Sequence, residues 1–251
     1  MTATTKGIDC AVPLTAEKAK KMSEAGMRFV CRYLVPASMA WKRLTRAEAE
    51  AITAAGMKIV SVFQRGTNDA AGGAVNGTRD GKAAYQEAKL IGQPEGTAIY
   101  FAVDFDAQPT HYAAIEAYLR AAAKELPGYY VGVYGSYAVV EEMARRGACS
   151  HFWQTYAWSK GRLSYAANLY QYKNGQELAG HQVDLNDGLG NEGWWDTNPQ
   201  KVDNNTIDKV AAQKVIDVLG AVYMASSDKQ VQAAAHYAAK SLRDAAGIPH
   251  Q

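Results

Sequence analysis

The sequence predicts one irregular β/α barrel followed by a C-terminal helical hairpin, and three observations carry that prediction. Strand-like and helix-like segments alternate through the first 150 residues. Five such units in a row imply parallel strands joined by right-handed crossovers. Three further strand-like segments follow with only loops between them, giving eight strands, the number that closes a barrel. The 251 residues, 48% hydrophobic and 21% charged, suffice for one barrel-sized domain with an appendage and a packed core. An open doubly wound sheet is the alternative. It would carry a glycine-rich phosphate loop after its first strand, where this chain has Asp9-Cys10-Ala11-Val12-Pro13.

Each element has a local reason. Residues 7–12 form a short apolar run, the first strand. Thr15 and Lys18 open a helix that stops at Gly26, and 29–35 is the second strand. Thr45 caps a helix that again ends in glycine, and 58–64 is the third strand. A Gly- and Asn-rich loop spans 66–77, with a helix from Asp80 to Ile91 closed by Gly92. Residues 98–106 form the fourth strand. Pro109-Thr110 starts a long helix that Pro127-Gly128 stops. Residues 129–136 are the fifth strand, with a helix to Gly147. Segments 151–158, 168–173 and 182–186 are the last three strands, punctuated by Gly161, Asn174-Gly175, Gly180 and Gly188.

The barrel is expected over 1–195. Residues 196–205 are polar and turn-rich and read as a linker, and 206–251 as a helical hairpin broken at Ser226-Ser227-Asp228. A hairpin of that length does not bury both apolar faces alone, so it should pack on the barrel or on a second copy as a homo-oligomer.

Composition narrows the function. Basic and acidic residues number 27 and 25, a net charge of +2, without the concentrated basic face of a nucleic-acid binder. No apolar stretch approaches the ~18 residues of a membrane span, and the N-terminus has no signal core. The expectation is therefore a chain made in the cytoplasm, with no membrane partner, reaching a cell wall through lysis or a phage holin. Cys10, Cys31 and Cys149 have no zinc-site spacing. Cys10 and Cys31 read as small buried side chains on adjacent strands, a disulfide between them being the other reading.

Active sites of β/α barrels lie at the C-terminal ends of the strands, and carboxylates collect there. Asp9 is on the first strand, Asp104 and Asp106 end the fourth, and Asp184 is on the last. Strand alternation points Asp104 and Asp106 the same way, about 6–7 Å apart, and barrel closure brings Asp9 near Asp184. Converging acids push one another's proton affinities apart, which glycosidic cleavage requires. Two other readings stay open: Asp104 and Asp106 capping the next loop, or four acids holding a metal. None of the 5 histidines lies in the acidic motifs, so no metal or other cofactor is expected.

The aromatic set, 15 Tyr and 5 Trp against 5 Phe, suits sugar faces. Tyr134, Trp153, Tyr156 and Tyr170 lie near predicted strand ends, with Tyr33, Trp158 and Tyr172, although barrel packing accounts for about half of such aromatics. Arg32, in an apolar strand, needs an acidic partner that the carboxylate cluster would supply. Gln64 and Gln171 would bond hydroxyls or an N-acetyl group.

GIDCAVP at 7–13, AVDFD at 102–106, LYQY at 169–172 and VDLND at 183–187 resemble the family 25 glycoside hydrolases, the muramidases. They are still more similar to the bacterial glycoside-hydrolase-like domain of unknown function 1906. The resemblance covers about residues 6–195 and implies five β/α units and three strands. It implies that Asp9, Asp104, Asp106 and Asp184 occupy the acidic positions. Asp106 stands where muramidases place the proton-donating glutamate, with Asp104 assisting the N-acetyl group. The implied function is a muramidase-like, endolysin-type hydrolase of cell-wall peptidoglycan; the alternative is a non-catalytic glycan-binding barrel.

Overall fold

The computed structural model describes residues 4–198, 209–246 and 248. Eight strands close in chain order: β1 (Thr5–Asp9), β2 (Phe29–Tyr33), β3 (Lys58–Phe63), β4 (Ala98–Ala102), β5 (Tyr130–Gly135), β6 (His151–Thr155), β7 (Leu169–Leu178) and β8 (His181–Gly188). Pairs from β1/β2 through β6/β7 are parallel. β8 runs antiparallel to both β7 and β1, which closes the ring with Asp9 opposite Asp184. Helices α1 (Ala16–Glu24), α2 (Arg46–Ala54), α3 (Gly73–Ile91), α4 (Tyr112–Lys124) and α5 (Tyr137–Arg145) follow the first five strands. This is the expected arrangement of five β/α units and three strands.

Two caps are those expected, Thr15 and Thr45, and Ser136 adds a third. Thr15 accepts from the Lys18 amide, Thr45 from the Glu48 amide and Ser136 from the Val139 amide. Alternate strand residues then divide between two cores. Phe29, Cys31, Val60, Val62, Tyr100 and Trp153 fill the barrel interior, while Ile8, Val30, Ile59, Ile99 and Phe101 pack under the helices. All three cysteines are free, Cys10 and Cys31 both buried.

Several expected bounds change: β2 and β6 are shorter, ending at Tyr33 and Thr155, and β7 is longer, running to Leu178 through the expected break at Asn174-Gly175. The fourth strand ends at Ala102, not at 106, and the first ends at Asp9. Helix α3 begins at Gly73, seven residues before the expected start, absorbing part of the predicted loop. The reason is packing. Gly73, Gly77 and Gly81 recur every fourth residue, and a Cβ on each would face Ala114, Tyr118 and Ala122 of α4. At Gly77 that Cβ would stand 2.2 Å from the Tyr118 carbonyl oxygen, so the helices touch backbone to backbone. Gly77→Ala is therefore expected to cost roughly 1–3 kcal/mol despite alanine's better helix propensity, read as a lower urea midpoint.

The chain divides into two units, 1–198 and 199–251. Residues 196–198 are not free linker: Asp196 pairs with Lys58 and the Thr197 amide donates to Thr53. The rest of the expected linker, 199–205, lies outside the described residues. In the second unit α6 (Lys209–Ala225) and α7 (Lys229–Ala246) pack on each other, separated at Ser226-Ser227-Asp228. No helix among the described residues is long and apolar enough to cross a membrane.

Candidate active site

The interior parity of the strands carries past their C-terminal ends and builds a pocket at the barrel mouth. Asp9 follows interior Gly7, Gln64 follows Val62, and Asp104 follows Ala102. The pocket they line, with Tyr33, Tyr134, Trp153, Gln171 and Asp184, encloses about 260 Å³. Three of the four predicted carboxylates therefore meet.

An amide organises them. Gln171 Oε1 accepts from Tyr134 Oη at 2.9 Å and from Thr155 Oγ1 at 2.8 Å. The amide orientation is thus set, and Nε2 donates to Asp9 Oδ2 at 2.9 Å and Asp184 Oδ2 at 3.2 Å. Asn186 Nδ2 donates to the same Asp9 oxygen at 2.7 Å, and its own Oδ1 is held by Trp153 Nε1 at 2.8 Å. Asp184 takes the Gly175 amide at 2.7 Å, and Asp104 takes Gln64 Nε2 at 3.0 Å.

Burial, then the nearby Asp184, raise the Asp9 carboxyl to about 7 against two opposing amide bonds, with Asp104 adding a smaller push. Burial likewise raises Asp184. Both shifts run toward the protonated form, so the Asp9–Asp184 pair gives up its last proton only as pH rises through neutrality. The sign follows for stability. The folded protein holds the Asp9 proton up to about pH 7, whereas the unfolded side chain loses it near 3.8. This contribution is full below that lower value and is lost as pH rises through the upper one. Asp9→Asn should therefore gain thermal stability relative to wild type between about pH 5 and about pH 8, by at most about 4 kcal/mol. A difference in melting temperature that does not grow with pH would count against the shift.

Four predicted residues stand elsewhere. Arg32 lies on the outer face of β2, since Cys31 and Tyr33 take the interior. Its Nε and Nη2 reach Glu48 of α2 at 2.7 and 3.2 Å, and Nη1 donates to the Cys10 and Ala11 carbonyls. It meets no carboxylate of the cluster and no substrate space. Asp106 is exposed and outside the pocket. The Ala107 amide donates to the Phe105 carbonyl at 2.8 Å, a tight turn that ends the alternation. Tyr170 has the outward parity of β7, in register with Asp187. Tyr156 supports the rim indirectly, its hydroxyl 2.7 Å from Oδ1 of the pocket residue Asn174.

Other pocket residues carry weaker sequence signals. Tyr33 has the interior parity of β2, which alternation from Phe29 predicts. Thr155 and Asn186 hold the amide network, and no local pattern marks them. Trp158 lines the mouth at φ 55°, a left-handed backbone rare for a tryptophan, with 42% of its surface exposed. Among the described residues no group of three or more His, Cys, Asp or Glu side chains is placed to hold a metal.

A β/α barrel of this order, with carboxylates converging in an aromatic-walled pocket at its mouth, is a glycoside-hydrolase-type barrel. The chain belongs to the Rv2525c-like, glycoside hydrolase-like domain family, which matches residues 20–212. The putative peptidoglycan hydrolase Rv2525c of Mycobacterium tuberculosis is 30% identical over 155 residues, 59% of this chain and 64% of that protein. The crystal structure of Rv2525c, a Tat-secreted protein, in complex with L-tartrate superposes with a TM-score of 0.70 at 27% identity, covering 77% of this chain and all of that one. The uncharacterized protein FadG of Bacillus subtilis is 36% identical over 112 residues, 41% of this chain but 19% of its own length. The chain thus spans only part of these relatives. GHIP, a glycosyl hydrolase 25 of Streptococcus pneumoniae, shares the fold with a TM-score of 0.52 at 14% identity, covering 75% of this chain and 89% of that one.

Proposed function

We propose that this chain binds and hydrolyses glycan strands of bacterial peptidoglycan in the Asp9–Asp104–Asp184 pocket. The observation that carries the reading is the buried Asp9, raised to about 7 beside Asp184 and Asp104. Glycosidic cleavage needs one protonated carboxyl for the leaving oxygen and one carboxylate for the cationic sugar. The Asp9–Asp184 pair supplies the proton, with Gln171 holding both acids. Asp104, oriented by Gln64, supplies the carboxylate. Tyr33, Tyr134 and Trp158 offer flat faces to the ring. The cavity is smaller than those that enclose whole ligands, so one sugar unit would enter it while the polymer lies along the mouth. The relative described as a putative peptidoglycan hydrolase supports this substrate class.

A second reading, a glycan-binding barrel without catalysis, is favoured by one observation: Asp106, in the place of the proton-donating glutamate, is exposed and not among the residues that line the pocket. Incubation with purified peptidoglycan separates the two. Release of reducing ends is expected. Retention on the insoluble glycan without release, across wall types and pH, would leave only the binding barrel.

A further inference from the structure

The connection between β2 and α2 leaves one cation without a counter-ion in contact. Lys42 is buried, with 5% of its surface exposed. Among the described residues its Nζ makes no hydrogen bond and no ion pair. It stands over two rings, 4.6 Å from the centroid of Tyr33 and 5.3 Å from that of Trp41. Other buried charges nearby are paired directly: Arg32 with Glu48, Glu87 with Arg43, and Asp80 with Arg65 and Arg79. The stem is buried, but no fully buried side-chain nitrogen or oxygen among the described residues lacks a partner, so the ammonium itself keeps contact with solvent. Held by ring faces alone, it retains unused donors.

The position of this cation is informative. Tyr33 is a wall of the pocket, and burial lowers the proton affinity of Lys42 while the charges of Asp69 and Asp104 oppose that shift. Asp69 is already engaged, its Oδ2 taking the Arg65 and Gly66 amides at 2.6 and 3.0 Å. Trp41 beside it is 61% exposed, a large apolar face left in water. Trp158, the exposed tryptophan that lines the pocket, follows β6. In a closed ring of eight strands β2 and β6 are opposite. Trp41 and Lys42 lie outside the pocket lining, on the connection that leaves the C-terminal end of β2, so a glycan laid across the mouth from Trp158 toward β2 would run over the carboxylates and on toward them.

We propose that Trp41 and Lys42 form a subsite that stacks one sugar ring and pairs with a free carboxylate carried on it, making a carboxylated glycan the preferred ligand. The proposal rests on the glycan reading of the pocket and adds the chemical class of the strand. In peptidoglycan the lactyl carboxyl of muramic acid is free only where the peptide stem has been removed. The reaction that supplies this ligand is then an amide hydrolysis acting on the wall beforehand.

The test is calorimetric titration of the full chain with one oligosaccharide of alternating N-acetylglucosamine and N-acetylmuramic acid, its lactyl carboxyls either free or amidated. Wild type is expected to bind the free acid about tenfold more tightly than the amide, the scale of one charge-assisted hydrogen bond. In Lys42→Met the ratio falls to near one. Equal binding of both forms by wild type, or a preference that survives Lys42→Met, overturns the subsite and leaves the glycan reading standing. Binding of neither form by wild type overturns both.

Discussion

Asp104→Asn is expected to lower reducing-sugar release from peptidoglycan by at least about a hundredfold, while Asp106→Asn stays within about twofold of wild type. Asp104 lines the pocket and takes Gln64 Nε2 on one oxygen, leaving its other oxygen for the sugar. Asparagine keeps the shape and removes the negative charge that the proposed hydrolysis needs beside the cationic transition state. Asp106 sits beyond the turn at Phe105–Ala107 and is exposed, so its carboxylate does not meet that charge. The opposite ranking, with Asp106→Asn inactive and Asp104→Asn active, would overturn the assignment made from the pocket. Each variant should unfold near the wild-type temperature, because neither group is fully buried or ion-paired.

The largest stability effect is expected at Arg32. Removing one member of a buried ion pair leaves the other charged in a dry site, at about 3–5 kcal/mol. Arg32→Met strands Glu48, whose Oε1 also takes the Leu14 amide at 2.8 Å, and abandons the Cys10 and Ala11 carbonyls. For a protein of this size that lowers the melting temperature by roughly 10 °C. Combining Arg32→Met with Glu48→Leu should recover a large part of the loss, since no buried charge remains uncompensated. A structural pair predicts this pattern in thermal unfolding. A substrate ligand predicts the reverse: weaker glycan binding at an unchanged melting temperature.

The two cases show where local reading succeeds. Asp9, Asp104, Asp184, Gln64, Gln171, Tyr134 and Trp153 were legible because strand alternation is a short-range rule and an eight-strand ring has one way to close, first strand against last. Counting by twos from one interior residue reaches each on its own strand, and adjacency of the first and last strands joins the set. The same parity, applied strictly from Phe29 through Cys31 to Tyr33, places Arg32 outside, and counting along β7 does the same for Tyr170. Asp106 was not legible, because alternation holds only while the chain remains extended, and a hydrogen bond between Ala107 and Phe105 ends it. The early start of α3 was hidden for a different reason. Glycine lowers helix propensity locally, and only the close approach of α4 repays it.

The sequence by itself determined the element order, the closed barrel and the strand ends that carry the carboxylates, since these follow from periodicity, caps and glycine stops within a few residues. Tertiary structure alone decided which charges are paired, which amide bridges Asp9 and Asp184, and that Lys42 lies buried over Tyr33 and Trp41. Those facts depend on how side chains from neighbouring positions and from positions more than a hundred residues apart meet in the folded interior, where desolvation sets their energies.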